Sequence, residues 1–257
     1  MSFETDNEPA VERLKTILDR YLESPTLLDP HLEEIMSKLV APSNNLIHET
    51  YGETTIEAAI EAKSANEGPK ILHTYLTLIS HLAKVRGYKT IKKLFTHEAV
   101  DLEPTLSCLL SQDRSNHLLW SSRYSLLLWL SMLALVPFDI STIDSTSSSS
   151  SDTSSNLVSQ IISISKSYLS DPGPIRLAAA VCLSSVLTRP DMEHGHLQSF
   201  MSYSQSILKA RVGQNKDVEG KGQVSHLSDD TFLTMGVVHT LAHLFKYGDR
   251  EKVRRIC

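Results

Sequence analysis

Between Lys84 and Lys93 the chain reads KVRGYKTIKK, with five cations and no acid. Ammonium and guanidinium groups at this density can pair with the carboxylates of a partner, or simply keep the outer face of a helix in water, the commoner role of a charge run. On a helix starting at Lys89, the lysines at 89, 92 and 93 fall opposite Ile91, Leu94 and Phe95. That places a cationic face over an apolar anchor. Tyr88 adds the amphipathic contact area that interfaces favour. The candidate partner-binding residues are Lys84, Arg86, Tyr88, Lys89, Lys92 and Lys93, and the partner they suit is acidic.

Other motifs that resemble chemical sites do not hold up. GQNKDVEGKG (213–222) has the glycines and lysine of a phosphate loop. Its spacing is wrong, however, and Gly222 stands where a Ser or Thr must reach magnesium; no strand precedes it. Glu193 with His194 and His196 offers adjacent ligands but no second pair to complete a metal site. Thr96-His97-Glu98 lacks the second histidine of a zinc-protease helix. No GxSxG occurs, and Cys182 sits inside an apolar stripe, where it acts as a small hydrophobe. No catalytic residue, metal ligand or cofactor-binding residue emerges, and a non-catalytic protein is expected.

The elements that must carry these residues read as helices. Val11, Leu14, Ile17, Leu18, Tyr21 and Leu22 recur at helical spacing, as do Leu32, Ile35, Met36 and Leu39. Ser24-Pro25 separates those two segments, and Ala41-Pro42 is expected to end the second. Further helices are expected over 56–62, 71–82 (with Gly87 as its cap), 89–95, 99–110, 157–169, 175–187, 200–208 and 232–245. The run NLVSQIISIS has strand-like composition but no alternating partner nearby, so helix is preferred. On the last helix, Phe232, Met235, Val238, Leu241, Ala242 and Phe245 are the expected inner face, with Gly248 as cap. Ser145–Ser155 has no apolar residue and is expected to be a disordered loop. Gly213–Ser228 is expected to be a polar loop.

RYSLLLWLSMLALVPFDI (123–140) has no charge between Arg123 and Asp139. A membrane span needs about 20 apolar residues, and the uncharged run from Tyr124 to Phe138 is too short and contains two serines. It is expected to be a helix buried nearly all round, with Trp129 and Leu130 inside. The 257-residue chain is 41% hydrophobic and 21% charged, with a net charge of -5 and a pI near 6.1. This is ordinary globular composition and argues against a general nucleic-acid binder. Three cysteines far apart suggest a reducing compartment. The acidic N-terminus resembles neither a secretory signal nor a transit peptide.

Helix pairs at intervals of about 40 residues match HEAT or armadillo units. The expected fold is therefore all-α, an α-solenoid of HEAT/armadillo-like repeats forming a single domain over 1–257. In such an array an inner helix is covered on both sides by neighbouring repeats.

Five stretches give a sharper resemblance: LLDPHLEEIM (27–36), KVRGYKTIKKLFTHEAVDLEP (84–104), RYSLLLWLSMLALVPFDI (123–140), AAAVCLSSVLTRPDM (178–192) and HTLAHLFKYGDRE (239–251). In this order they resemble the N-terminal part of the tubulin-folding cofactor D (tubulin-specific chaperone D) family, from about Arg13 onward. The two Ser- and Gly-containing loops look like insertions. The resemblance implies a cytoplasmic, cytoskeleton-associated scaffold of HEAT or armadillo-like repeats. It implies binding to β-tubulin and work with cofactors E and C, α-tubulin and an Arf-like small GTPase. Together these build or dismantle the αβ-tubulin heterodimer and stimulate GTP hydrolysis by tubulin. No cofactor or metal is implied, and no binding residue carries over from the family. Family members are several times longer, so the chain is expected to be a fragment. A generic helical-repeat adaptor or transport scaffold is the alternative, since fold alone does not give function.

Overall fold

The computed structural model describes residues 7–52, 68–136, 157–217 and 227–248. The described residues are helical with short connecting turns, and there is no strand among them. The fold is all-α and of helical-repeat type. The expected helix at 56–62 and the Ser-rich loop at 145–155 lie outside the described residues. The chain divides into two compact units, Met1–Leu133 and Ala134–Cys257.

The first unit contains α1 (Asn7–Asp19), α2 (Asp29–Tyr51), α3 (Gly68–Arg86), the single turn α4 (Tyr88–Ile91), α5 (Leu102–Leu110) and α6 (Trp120–Leu133). Helix α3 is central, and α1, α2 and α6 all pack on it. Its Leu76, Ile79 and Leu82 have no exposed surface.

Helix α2 does not stop at Ala41-Pro42, as its sequence suggests; Pro42 lies inside it. An interior proline removes one backbone donor and costs about 3 kcal/mol. The second half of α2 offsets that cost by tertiary packing: Ile47 and Tyr51 are buried, and Asn44 and His48 both reach Asp101.

Helix α6 meets the expectation of burial all round. Every residue from Ser121 to Leu133 except Met132 is buried. Its serines are compatible with that because each is bonded. Ser121 meets Thr77 at 2.8 Å, Ser125 donates to the Leu76 carbonyl at 2.8 Å and Ser131 donates to the Leu128 carbonyl at 2.6 Å. Buried hydroxyls without partners would cost about 1–3 kcal/mol each. Among the described residues no helix is long and apolar enough to cross a membrane.

The second unit contains α7 (Leu157–Ser167), α8 (Ile175–Leu187), α9 (Gln198–Asp217) and α10 (Leu227–Tyr247). The β-branched run is helix α7. Helix α8 is its core, with Ala178, Ala179, Ala180 and Cys182 fully buried. Of the stretch 213–228 expected to be a polar loop, 213–217 belong to α9 and 227–228 to α10, and the residues between lie outside the described ones.

Two apolar stripes are not placed as their spacing suggests. On α10, Met235, Val238 and Phe245 are 42–45% exposed, while Val237, Thr240 and Leu244 are buried. Gly236 sets this rotation. A Cβ there would lie 2.9 Å from Leu169 Cβ and closer still to the Leu169 carbonyl oxygen, so α10 crosses the Tyr168–Ser170 turn with its glycine face inward. On and beyond α1, Leu14, Ile17 and Leu22 are exposed. Lys15 and Asp19 turn toward α3 instead, where Asp19 meets His81.

Candidate docking surface

The basic segment hangs from the end of α3. Gly87 adopts φ +95° and donates its N–H to the Ala83 carbonyl at 3.0 Å. Only glycine takes this left-handed conformation without strain. The chain then makes the α4 turn, a 3-10 turn at Lys92–Leu94, and extended backbone at Phe95. The single helix expected over 89–95 is thus split between two helical types.

Its inner side is fixed firmly. Ile91 and Phe95 are buried, and the Phe95 ring stacks on Trp129 with centroids 5.0 Å apart. Trp129 Nε1 donates to Thr96 Oγ1 at 3.1 Å, and Thr96 Oγ1 donates to Asp101 Oδ2. Asp101, 2% exposed, also accepts from Asn44 Nδ2 at 3.0 Å and lies 2.7 Å from His48 Nε2. This carboxylate sits where a helix cap is expected, just before α5, yet it makes no capping bond. It ties α2, the 96–101 connection and, through Thr96, α6 into one polar network. One member is incomplete, since Asn44 Oδ1 is buried without a hydrogen-bond partner.

The six candidate residues divide into three groups. Lys84 and Arg86 are paired internally. Lys84 Nζ lies 3.0 Å from Asp19 Oδ1, which also meets His81 Nε2 at 2.9 Å. Arg86 holds both carboxylate oxygens of Asp29, a fork-to-fork pair. The hydrogen bonds from Lys84 and Arg86 hold the carboxyls of Asp19 and Asp29 below their ordinary range, and Asp29 in turn raises Arg86. Lys89 and Lys93 are exposed, the clearest outward cations of the segment. Tyr88 and Lys92 are half-buried, as Arg86 is, whereas Lys84 is exposed as well as paired. Lys89 Nζ stands 6.0 Å from the Tyr88 ring centroid, at the outer limit of a cation–π contact. The acids that take Lys84 and Arg86 lie 65 and 57 residues away in sequence, so no local pattern signals them.

Tyr124 of α6 sits near this segment. Its phenol is pushed up to about 12, mainly by burial and secondarily by the nearby Tyr88. Elsewhere on α6, Ser122 Oγ lies 2.6 Å from His73 Nδ1, the distance of a nucleophile and its base. Ser122 has no exposed surface, and burial lowers the His73 pKa, so this is a packed hydrogen bond between α3 and α6 that no substrate can reach. Among the described residues, no group of three or more His, Cys, Asp or Glu side chains is placed to hold a metal ion. What this segment offers chemically is an ordered edge with the cations Lys89 and Lys93 exposed on it.

Comparisons with known proteins give one consistent result. A family model described as tubulin-specific chaperone D-like, ARM repeat, matches residues 18–208. The chain is 28% identical to a protein of Dictyostelium discoideum named tubulin-specific chaperone D, over 93% of this chain and 21% of that one. It is 28% identical to a protein of Schizosaccharomyces pombe named tubulin-folding cofactor D, over 71% of this chain and 14% of that one. The chain thus spans about a fifth or less of the length of these relatives. No solved structure matches it significantly.

Proposed function

The chain belongs to the tubulin-specific chaperone D-like family of ARM-repeat proteins, and from that premise we propose that it acts as a tubulin-folding scaffold, binding β-tubulin and taking part in assembly and disassembly of the αβ-tubulin heterodimer. The observation that carries the reading is the family match itself, which runs through the whole basic segment and helix α6. In this reading the protein works in the cytosol beside the cytoskeleton, with cofactors E and C and an Arf-like GTPase as further partners. Its part in GTP hydrolysis is to hold tubulin, the hydrolysis being tubulin's own.

The docking edge is Tyr88, Lys89, Lys92 and Lys93, with Lys84 and Arg86 behind it as ties to Asp19 and Asp29. An acidic client meets these cations first during encounter. Charges at a rim act mainly on association rate, and their effect fades as salt shortens the screening length, about 10 Å at 0.1 M.

The test is binding of the full chain to purified αβ-tubulin across a salt series. The wild-type chain is expected to bind, with an association rate that falls as salt rises. Replacing Lys89, Lys92 and Lys93 by Gln is expected to slow association and flatten that dependence. Helicity should persist, since Gln and Lys are similar helix formers. Failure of the wild-type chain to retain tubulin better than an unrelated helical-repeat protein would refute the proposal. Unchanged rates in the triple variant would remove the lysines from the surface while leaving the tubulin reading in place.

A further inference from the structure

Among the described residues, helix α10 has two apolar sides, and only one of them is covered. Gly236, Val237, Thr240 and Leu244 are buried on the side that packs on α8 and the Tyr168–Ser170 turn. On the opposite side Met235, Val238, Ala242 and Phe245 are exposed, with Thr234, His239 and Leu241 half-buried beside them. From Thr231 to Phe245 the helix carries no Asp, Glu, Lys or Arg. A solvated helix face is ordinarily charged or polar. Single exposed apolar side chains are common, whereas a contiguous row of them marks an interaction surface.

The spacing of the row identifies what fits it. Met235, Val238, Ala242 and Phe245 follow one another at the intervals of a and d positions in a heptad seam, which takes another helix crossing at about 20°. Those intervals read the same in both directions. A second copy of α10 laid antiparallel therefore registers along the whole row, with Met235 opposite Phe245 and Val238 opposite Ala242 of the other copy. A thioether against an aromatic ring is a favourable contact, and alanine facing valine alternates small with large across the seam.

Charge sets the direction of the pair. In sequence α10 opens with Leu227-Ser228-Asp229-Asp230, and Lys246 stands in its last turn. In the antiparallel register Lys246 falls opposite Thr234, one turn from position 230 of the other copy. The acidic end of each helix then lies along the basic end of the other, and the helix dipoles oppose. A parallel pair would bring like ends together. A lipid surface fits less well, because helices that lie on membranes carry Lys and Arg on a solvated polar face, and the face of α10 opposite the row is buried in protein.

We propose that the outer row of α10 is a homodimer interface, in which two copies of the chain pair their α10 helices antiparallel about a twofold axis. The same patch is used on both copies, as twofold symmetry requires. The row is short, so self-association is weak, on the order of 10 μM. Its helix is already ordered by packing on α8, and pairing does not have to fold it. The pairing does not depend on the tubulin reading.

The test is sedimentation equilibrium of the full chain from about 1 to 200 μM, where mass action reveals a weak dimer. The wild-type mass is expected to rise from 28.6 kDa toward twice that value. The Met235→Gln/Val238→Gln/Phe245→Gln variant is expected to self-associate at least about tenfold more weakly. Leu27→Ser, at an apolar residue 65% exposed in the first unit, should associate as the wild type does. Direction is read by disulfide trapping in a Cys257→Ser background, since Cys108 and Cys182 are buried. Met235→Cys chains mixed with Phe245→Cys chains are expected to form the mixed disulfide under mild oxidation. Neither should trap alone, because like positions of the antiparallel pair stand about 15 Å apart along the axis. The trapping uses single substitutions at exposed positions, so it decides the matter even where the triple variant does not fold. A wild-type chain that stays monomeric throughout overturns the proposal, whatever else the row binds. Undiminished association of the triple variant, an equal loss in Leu27→Ser, or like-with-like disulfides in place of the mixed one overturn it as well.

Discussion

Helices α6 and α10 are both rich in apolar residues, yet the protein uses them in opposite ways. In α6 the apolar residues are buried nearly all round, and even its serines are inside because each finds a partner. In α10 a clean apolar stripe, Met235, Val238 and Phe245, faces out, while the less apolar set of Gly236, Val237, Thr240 and Leu244 faces in. Thr240 tolerates that burial because its hydroxyl donates to the Gly236 carbonyl at 2.9 Å. Helical spacing of the apolar residues marks both segments as helices, and in α10 the close backbone approach at Gly236 sets which side is the inside.

The largest expected effect is at the centre of α6. Trp129 has no exposed surface, stacks on Phe95 and donates to Thr96. Trp129→Ala opens a cavity and frees Thr96, and is expected to cost about 3–5 kcal/mol in urea unfolding. Because Phe95 and Thr96 anchor the basic segment, the variant should also expose that segment to early proteolysis near Lys93. A cost below 1 kcal/mol would show that α6 is less enclosed than described, and the contrast with α10 would weaken.

The next effect is at Gly236. In an exposed helix interior, Gly→Ala gains up to about 1 kcal/mol from helix propensity. At this position the added Cβ meets the backbone of Leu169, which cannot rotate away as a side chain could. Overpacking of this kind costs about 1–3 kcal/mol, so Gly236→Ala is expected to destabilise the protein by about 1–2 kcal/mol in the same measurement. A stabilised variant would mean that α10 stands off the Tyr168–Ser170 turn and that another contact orients it.

These two helices also mark where the sequence is readable. Helix α8 spans Ile175–Leu187 as its pattern indicates, bounded by DPGP before and a proline turn after. The Gly87 cap and the enclosed α6 follow from local rules of the same kind. The orientation of α10 does not, since the period favours the stripe of Met235, Val238 and Phe245 that the structure leaves on the outer side. A lone glycine in mid-helix is a known mark of close approach, so Gly236 was the available signal. Pro42 misleads because the contacts that keep α2 helical beyond it come from Asp101, far along the chain. The same distance hides the acids facing Lys84 and Arg86. At the candidate docking surface the sequence shows the cations and the enclosed tryptophan. It gives no sign that Leu118 and Trp120 at the start of α6 are exposed, because exposure of a turn depends on what packs beneath it.

The smallest expected effect is on the outer stripe of α10, and it tests the comparison most directly. Met235, Val238 and Phe245 would be assigned to a core by any periodicity argument. Replacing all three by Gln changes side chains that already have 42–45% of their surface in water, so only part of a full burial free energy is lost. Gln forms helix as well as Met and better than Val or Phe, so backbone propensity does not oppose the change. Exposed substitutions away from caps, charges and special backbone usually stay within about 0.5 kcal/mol. The triple variant is therefore expected to unfold within about 1.5 kcal/mol of wild type, less than Trp129→Ala alone. Contiguous exposed apolar area also promotes self-association, so the variant should be the more soluble at high concentration. The measurements are urea unfolding at low protein concentration and light scattering at high concentration. A loss above about 3 kcal/mol at low concentration would mean that the stripe is covered within the chain. In that case α10 would be enclosed as α6 is, and the apparent choice of face at Gly236 would not be a choice between buried and exposed.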